Sequence, residues 1–99
     1  MRRDDAIDLL NAHAAELRAR GVLRLSIFGS TARDMARAGS DVDVLVEIDP
    51  ARRFSLIDLS ELRLYLSDLL GCDVDIAERG YLKPLLRDAI LADAVDVVR

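Results

Sequence analysis

The chain has 99 residues, of which 18 are acidic and 14 are basic, so its formal net charge is −4. This length suffices for one compact unit, and we predict a single domain over residues 1–99. An acidic balance gives no general attraction to phosphates, so we expect no direct nucleic-acid binding. The single cysteine, Cys72, excludes an internal disulfide, and no apolar run approaches the ~20 residues of a membrane span. These features predict a cytoplasmic protein that does not enter a membrane.

The first half of the chain predicts helix, strand, helix, strand. Residues 4–20 carry apolar side chains at helical spacing, and Gly21 follows where a glycine commonly ends a helix. His13 falls beside this stripe and is expected to be a partly exposed histidine without a special role. Residues 22–28 alternate as a strand does, and residues 31–38 form a short helical segment. Residues 41–48 then predict a second strand, with its valines on one face and Asp41, Asp43 and Leu45 on the other.

The second half predicts a long helix, a third strand and a last helix. Residues 55–70 begin with Ser55 and Asp58 in capping-box spacing and end before Gly71. Residues 72–77 form the third strand, and Pro84 opens a helix that runs to about residue 94. The alternating tail at residues 95–98 can add a short edge strand. The order predicts an α/β domain, in which about four helices cover a small sheet of three strands with a short fourth at the edge.

Two carboxylates define the first candidate site. Asp41 and Asp43 are two residues apart on a strand, so their side chains share a face and lie ~6.7 Å apart along it. Two such charges repel each other unless a cation compensates them, and Mg²⁺ suits carboxylates that also serve a phosphate. The acidic run from Asp73 to Ile76 offers a third carboxylate on another strand. Three carboxylates could hold two ions ~3.5–4 Å apart.

Gly29 and Ser30 supply the second part of the pattern. Glycine lets the backbone approach a ligand closely, and the free N–H groups of the short helix that follows can bind an anion. Ser30 adds a hydroxyl donor. Arg33 lies one turn into this helix and could reach a phosphate, although a solvated arginine explains it equally well. An ordinary turn explains Gly29-Ser30 alone, and a solvated sheet face explains the alternating aspartates alone. Together the two features favour a site for a metal ion and a triphosphate.

Gly29-Ser30, ten residues, and then Asp41-x-Asp43 resembles the signature of the nucleotidyltransferases of the DNA polymerase β superfamily. The wider run GSTARDMARAGSDVDVLVE resembles the minimal nucleotidyltransferase family, which includes antitoxins. The resemblance implies the palm-like fold of that superfamily, with a mixed sheet. It also implies Asp75 as the third carboxylate, with Asp73 as the alternative. Asp34 departs from the family, whose members commonly carry glycine there.

The resemblance further implies an activity. Such antitoxins transfer AMP from ATP to a tyrosine of a HEPN ribonuclease toxin and release pyrophosphate, as in type VII toxin–antitoxin systems. By this resemblance Asp41 and Asp43 hold two Mg²⁺ ions, and Asp75 holds the ion at the nucleophile and can act as the general base. Gly29 and Ser30 hold the β- and γ-phosphates. The nucleotide-binding set is completed by Arg33 and Ser40.

Two other functions remain open at this point. The chain could neutralise a toxin by contact in a hetero-oligomer, with little catalysis. It could also modify a small molecule, although nucleotidyltransferases of that class usually need an additional domain to bind the acceptor. The carboxylates favour catalysis over the first alternative, and the short chain disfavours the second.

Overall fold

A four-stranded mixed sheet organises the fold. The structure is a computed structural model that describes residues 2–32 and 41–98, without the side chains of Ser30 and Thr31. The strands are β1 (Val22–Phe28), β2 (Val42–Ile48), β3 (Val74–Glu78) and β4 (Val95–Val98). They lie in the order β3-β2-β1-β4, with β2 parallel to β3 and β1 antiparallel to both β2 and β4. The α/β class and the edge strand at residues 95–98 are therefore confirmed.

Helices precede, connect and follow the strands. They are α1 (Arg3–Ala12), α2 (Ala14–Ala19), α3 (Gly29–Ala32), α4 (Leu56–Leu70) and α5 (Pro84–Asp93), with a 3₁₀ turn at Arg79–Tyr81. Helix α4 is the crossover that allows β2 and β3 to run parallel. Across residues 2–32 and 41–98, none of the helices has the length and apolar character needed to cross a membrane.

The prediction of one continuous helix over residues 4–20 is wrong, because the helix is interrupted at His13. The His13 backbone N–H donates to Leu10 O at 3.1 Å, three residues back, instead of continuing the four-residue pattern. The His13 ring takes over the Leu9 carbonyl, to which Nδ1 donates at 2.9 Å. A side chain that bonds to a nearby carbonyl thus competes with the helix and divides it into α1 and α2.

Three other predicted boundaries also differ. Helix α3 begins at Gly29 rather than at residue 31, and residues 33–40 lie outside the described part of the chain. Strand β2 begins at Val42, so Asp41 stands just before it. Strand β3 runs over Val74–Glu78 instead of residues 72–77. The first bond between these strands joins Val42 N–H to Asp73 O at 3.0 Å, which sets where their pairing starts.

The main core lies between one face of the sheet and helices α1, α2 and α4. It contains strand residues that alternate with the acidic positions of β2 and β3, together with inward leucines of the helices: Leu10, Leu17, Leu25, Ile27, Val42, Val44, Val46, Leu62, Leu66 and Val74. Each lies at 0% or 1% relative exposure. Burial of these side chains supplies most of the driving force for folding. The opposite face of β2 carries Asp43, which is partly buried, and Leu45, which is buried.

A buried polar contact joins the last strand, β4, to its neighbour β1. Ser26 on β1 is fully buried, and its Oγ donates to Asp96 Oδ1 on β4 at 2.6 Å. Arg24 also donates to Asp96, at 3.3 Å. A hydroxyl without a partner in such a place would cost about 1–3 kcal/mol. The contact therefore favours docking of β4 in this register over docking in a slipped one.

The capping box of α4 gives the first test. Ser55 Oγ accepts from Asp58 N–H at 3.2 Å, and Asp58 Oδ2 accepts from Ser55 N–H at 2.8 Å. We expect Ser55→Ala to lower the free energy of unfolding by about 1 kcal/mol, measured by urea denaturation, because it leaves a helical N–H without its acceptor. Ser60→Ala, within the same helix, should be neutral or slightly stabilising. Equal losses in the two variants would show that the cap contributes nothing.

Candidate functional site

Three acidic side chains meet at one end of the sheet. Asp43 on β2 is paired directly with Asp75 on β3, and Asp41 immediately precedes β2. Asp43 is partly buried, whereas Asp41 and Asp75 are exposed. Asp73 lies just before β3, and the residue opposite Asp43 is Asp75. The register therefore brings Asp75, the third carboxylate implied by the family resemblance, beside Asp43, while the alternative, Asp73, lies near Asp41.

The carboxylates of this group affect one another. Partial burial, then the charges of Asp75 and Asp41, raise the pKa of Asp43 above its ordinary value. Loss of hydration also raises the pKa of Asp41, followed by the charges of Asp75 and Asp73 and a hydrogen bond shared with the Asp75 carboxyl. Because the Asp41 side chain is exposed, we attribute the rise in its pKa more to these like charges than to burial. The site is thus a place where negative charge is crowded.

This crowding fits a divalent cation. Carboxylate oxygens are the ligands that hard cations such as Mg²⁺ prefer, and a cation would offset the repulsion between Asp43 and Asp75. Within residues 2–32 and 41–98, no three acidic, histidine or cysteine side chains already stand in the arrangement of a finished metal site. The chemistry and position of the three side chains fit the ion.

Gly29 lies directly against this group. Phe28, the last residue of β1, is paired with Asp43, so the next residue is beside that carboxylate. Gly29 has a φ of 69°, and a Cβ added there would collide with Asp43 Oδ2. Both the left-handed backbone and the contact thus require glycine. The other nucleotide-binding candidates cannot be placed so closely: Ser30 is in α3 without a described side chain, and Arg33 and Ser40, like Asp34, lie outside the described residues.

Sequence reasoning missed Arg63, a cation of α4 that reaches the acidic group. Its Nε donates to Val74 O at 3.2 Å, which fixes the side chain against β3. Its positive charge opposes the rise in the pKa of Asp41. The available signal was an arginine next to the buried position Leu62, on a helix that leads into the third strand with its acidic residues. That signal acquires meaning only when the packing of α4 against β3 is known.

Two glycines with the same backbone conformation give a matched test of the contact at Gly29. Gly71, at the end of α4, has a φ of 71°, and a Cβ there would meet nothing within 4 Å. We expect Gly71→Ala to cost about 1–2 kcal/mol of unfolding free energy for the left-handed backbone alone. Gly29→Ala should cost at least ~1 kcal/mol more, because Asp43 must also move. Equal losses in urea denaturation would contradict a required close approach at Gly29.

The crowded charge gives a second test, on protein freed of divalent cations with a chelator. The fold raises the pKa of Asp43, so it favours the protonated form, and its destabilising effect grows as the pH rises through the folded-state pKa. Asp43→Asn should therefore raise the melting temperature at pH 7. The gain in the free energy of unfolding should be less than about 1 kcal/mol, because Asp43 is only partly buried and water screens its charge. The gain should disappear in acid below the ordinary pKa of aspartate. Asp8→Asn, on the exposed side of α1, should show no such gain.

Comparisons with known proteins identify the family. The family model of the nucleotidyltransferase domain matches residues 10–97. A Methanocaldococcus jannaschii protein named as a candidate protein adenylyltransferase is 46% identical over 78 residues, which are 79% of this chain and 82% of that protein. Protein adenylyltransferase MntA of Thermococcus cleftensis is 40% identical over 90 residues, covering 90% and 89% of the two chains.

Solved structures agree with these relatives. A structure described as a minimal nucleotidyltransferase has a TM-score of 0.80 and 36% identity, and the match covers 96% of this chain and 95% of that one. A toxin–antitoxin structure with AMP-PNP has a TM-score of 0.71 at 21% identity, over 98% of this chain and 73% of the other. At that identity it shows a shared fold. The chain belongs to the nucleotidyltransferase family, and it is a transferase similar to the minimal nucleotidyltransferases.

Proposed function

We propose that this transferase is an antitoxin of the type VII kind. It moves AMP from ATP to a tyrosine hydroxyl of a HEPN ribonuclease toxin, depends on Mg²⁺ and releases pyrophosphate. The observation that carries the proposal is the meeting of Asp41, Asp43 and Asp75 at the end of the sheet where Gly29 touches Asp43. The activity named for the Thermococcus cleftensis relative supports AMP transfer to a protein.

Each group of the site has a role in this reaction. Asp41 and Asp43 would hold two Mg²⁺ ions, with Asp75 at the ion nearer the nucleophile; when bound, the ions neutralise phosphate charge and polarise the reacting oxygens. Gly29, with no side chain, lets the Asp43 carboxylate lie against the backbone at the start of α3, where the triphosphate would bind, and Ser30 adds a donor there. Asp75 takes the proton of the tyrosine hydroxyl. The tyrosine oxygen then bonds to the α-phosphorus as the bond from that phosphorus to the pyrophosphate oxygen breaks.

A protein partner is supported by the surface as well as by the relatives. The fold is shared with a solved toxin–antitoxin complex. Large apolar side chains are exposed here, including Leu56 at 82%, Ile57 at 71% and Leu85 at 96%. The net charge of −4 disfavours a nucleic-acid acceptor. We therefore place the chain in a hetero-oligomer with the toxin in the cytoplasm, where Cys72 stays reduced.

Removal of the two carboxylates from residues 41 and 43 tests the chemistry. We expect Asp41→Asn with Asp43→Asn to lower Mg²⁺-dependent AMP transfer by roughly 10³-fold or more, because each carboxylate holds cations worth several kcal/mol to the transition state. Transfer is measured by mass spectrometry of a HEPN toxin co-purified with the chain and incubated with ATP. Asp5→Asn with Asp8→Asn, which removes two exposed charges of α1, is the matched control. Unchanged transfer in the site variant would refute the assignment.

The exposed apolar side chains also favour a second function, neutralisation by contact. The same double variant separates the two functions in cells that express the toxin. If the variant loses AMP transfer and no longer protects the cells, neutralisation is catalytic. If it loses transfer and protects them fully, contact alone is sufficient.

A further inference from the structure

A groove opens beside Asp75, on the side away from Gly29. It lies between α4 and the outer edge of β3, has a volume of about 260 Å³, and is lined by Leu59, Ser60, Arg63, Asp75 and Ile76. We call it the β3 groove. Because β3 is the outermost strand on its side of the sheet, the groove is accessible from that edge.

The sheet register separates this groove from the place of the phosphates. Asp43 is paired with Phe28 of β1 on one side and with Asp75 of β3 on the other. Gly29 and the β3 groove therefore lie on opposite sides of Asp43. In phosphoryl transfer the attacking and leaving oxygens stand roughly in line on opposite sides of the phosphorus. Phosphates on the Gly29 side would leave the β3 side to the attacking hydroxyl.

The lining of the groove suits a phenol. Leu59 and Ile76 offer apolar contact to a ring, and Asp75 offers an acceptor to a hydroxyl at its end. Arg63 is held by its bond from Nε to Val74 O, and a guanidinium beside an aromatic ring attracts it electrostatically. An aliphatic alcohol could use the carboxylate but not the guanidinium. A tyrosine side chain uses both.

The surface around the groove suits an acceptor carried by a protein. Ser60 lies four residues after Leu56 and four before Leu64, so the three share one face of α4. Both leucines are exposed, Leu64 at 65%. Apolar side chains thus flank the groove along the helix, and a partner that covers them would bring its own side chain to Asp75.

We propose that the β3 groove binds the ring of the acceptor tyrosine. Arg63 is a positioning residue that contacts the ring, so that the tyrosine hydroxyl lies against Asp75. The inference rests on the proposed function and adds where the acceptor binds. The tyrosine oxygen forms its bond to the α-phosphorus from this side, its proton passes to Asp75, and pyrophosphate leaves toward Gly29.

Filling the groove is the first test, since Ser60 is exposed and a larger side chain there does not disturb the core. The probe is N-acetyl-tyrosinamide, titrated into the full chain with Mg²⁺ and an ATP analogue that cannot be cleaved at the α-phosphorus. We expect shifts of the Leu59 and Ile76 methyl signals by NMR, which Ser60→Leu abolishes. Ala15→Leu, which adds the same bulk on the exposed side of α2, should leave them unchanged. Absence of these shifts, or shifts that survive Ser60→Leu, would overturn the proposal.

Arg63 is tested by kinetics of transfer to a HEPN toxin. Arg63→Ala should raise the acceptor KM about tenfold, the size of a partly desolvated cation–π contact. The affinity for the ATP analogue should be unchanged, because Gly29 and the β3 groove lie on opposite sides of Asp43. Arg63→Lys should recover part of the loss, and Arg53→Ala, an exposed arginine outside the groove, should behave as wild type. A change in nucleotide affinity without a change in acceptor KM would overturn the role.

The two proposals can fail separately. If the wild-type chain transfers no AMP to its toxin, the proposed function fails whatever the methyl signals show. If the wild-type chain transfers AMP and Ser60→Leu transfers it with the same acceptor KM, the function stands and the β3 groove is not the acceptor site.

Discussion

The parallel pairing of β2 and β3 is the constraint on which the site depends. Asp43 is the second residue of β2 and Asp75 is the second residue of β3, so parallel strands in this register bring them side by side. An antiparallel β3 would carry Asp75 to the far end of the sheet. The antiparallel β1 in turn brings Gly29, just past its carboxyl end, to the same place. Strand direction, more than any single contact, builds the site.

Helix α4 makes that strand direction possible and also shapes the acceptor side. Its inward leucines pack on the sheet, while Arg63 reaches the backbone of β3 at Val74. The helix is capped at its N-terminus by the Ser55–Asp58 capping box and ends at the left-handed Gly71. The inward leucines and the bond from Arg63 to Val74 O hold the helix against β3, beside Asp75. The same element thus supports the core and borders the groove.

Much of this could be predicted from the sequence, because its signals were local. Alternation of valine and aspartate predicted β2, and the spacing of Ser55, Asp58 and Gly71 predicted the limits of α4. The role of Asp75 came from a family resemblance, and the register is consistent with it. The break at His13 was missed because a ring that bonds to a carbonyl leaves no mark on hydrophobic spacing. Arg63 was missed because its importance depends on which strand α4 packs against.

Helix α5 shows another limit of hydrophobic patterns. Apolar residues recur along it, yet Leu85 is 96% exposed and none of the residues of α5 is buried. An apolar side chain indicates that a surface can be covered, but not whether this chain or another protein covers it. Leu45 and Ser26, buried on the second face of the sheet, show that this face is only partly open.

The crowding of charge around Asp43 also bears on how long the protein survives in a cell. Carboxylates that repel each other lower the stability of the folded chain at neutral pH. A cation and a nucleotide that bind the folded form would restore that stability, by an amount that grows with the logarithm of their concentration. The fraction of chains that unfold, and are exposed to proteases, would therefore rise when the nucleotide supply falls. The same charges that prepare the site for catalysis would make the abundance of the protein depend on the energy state of the cell.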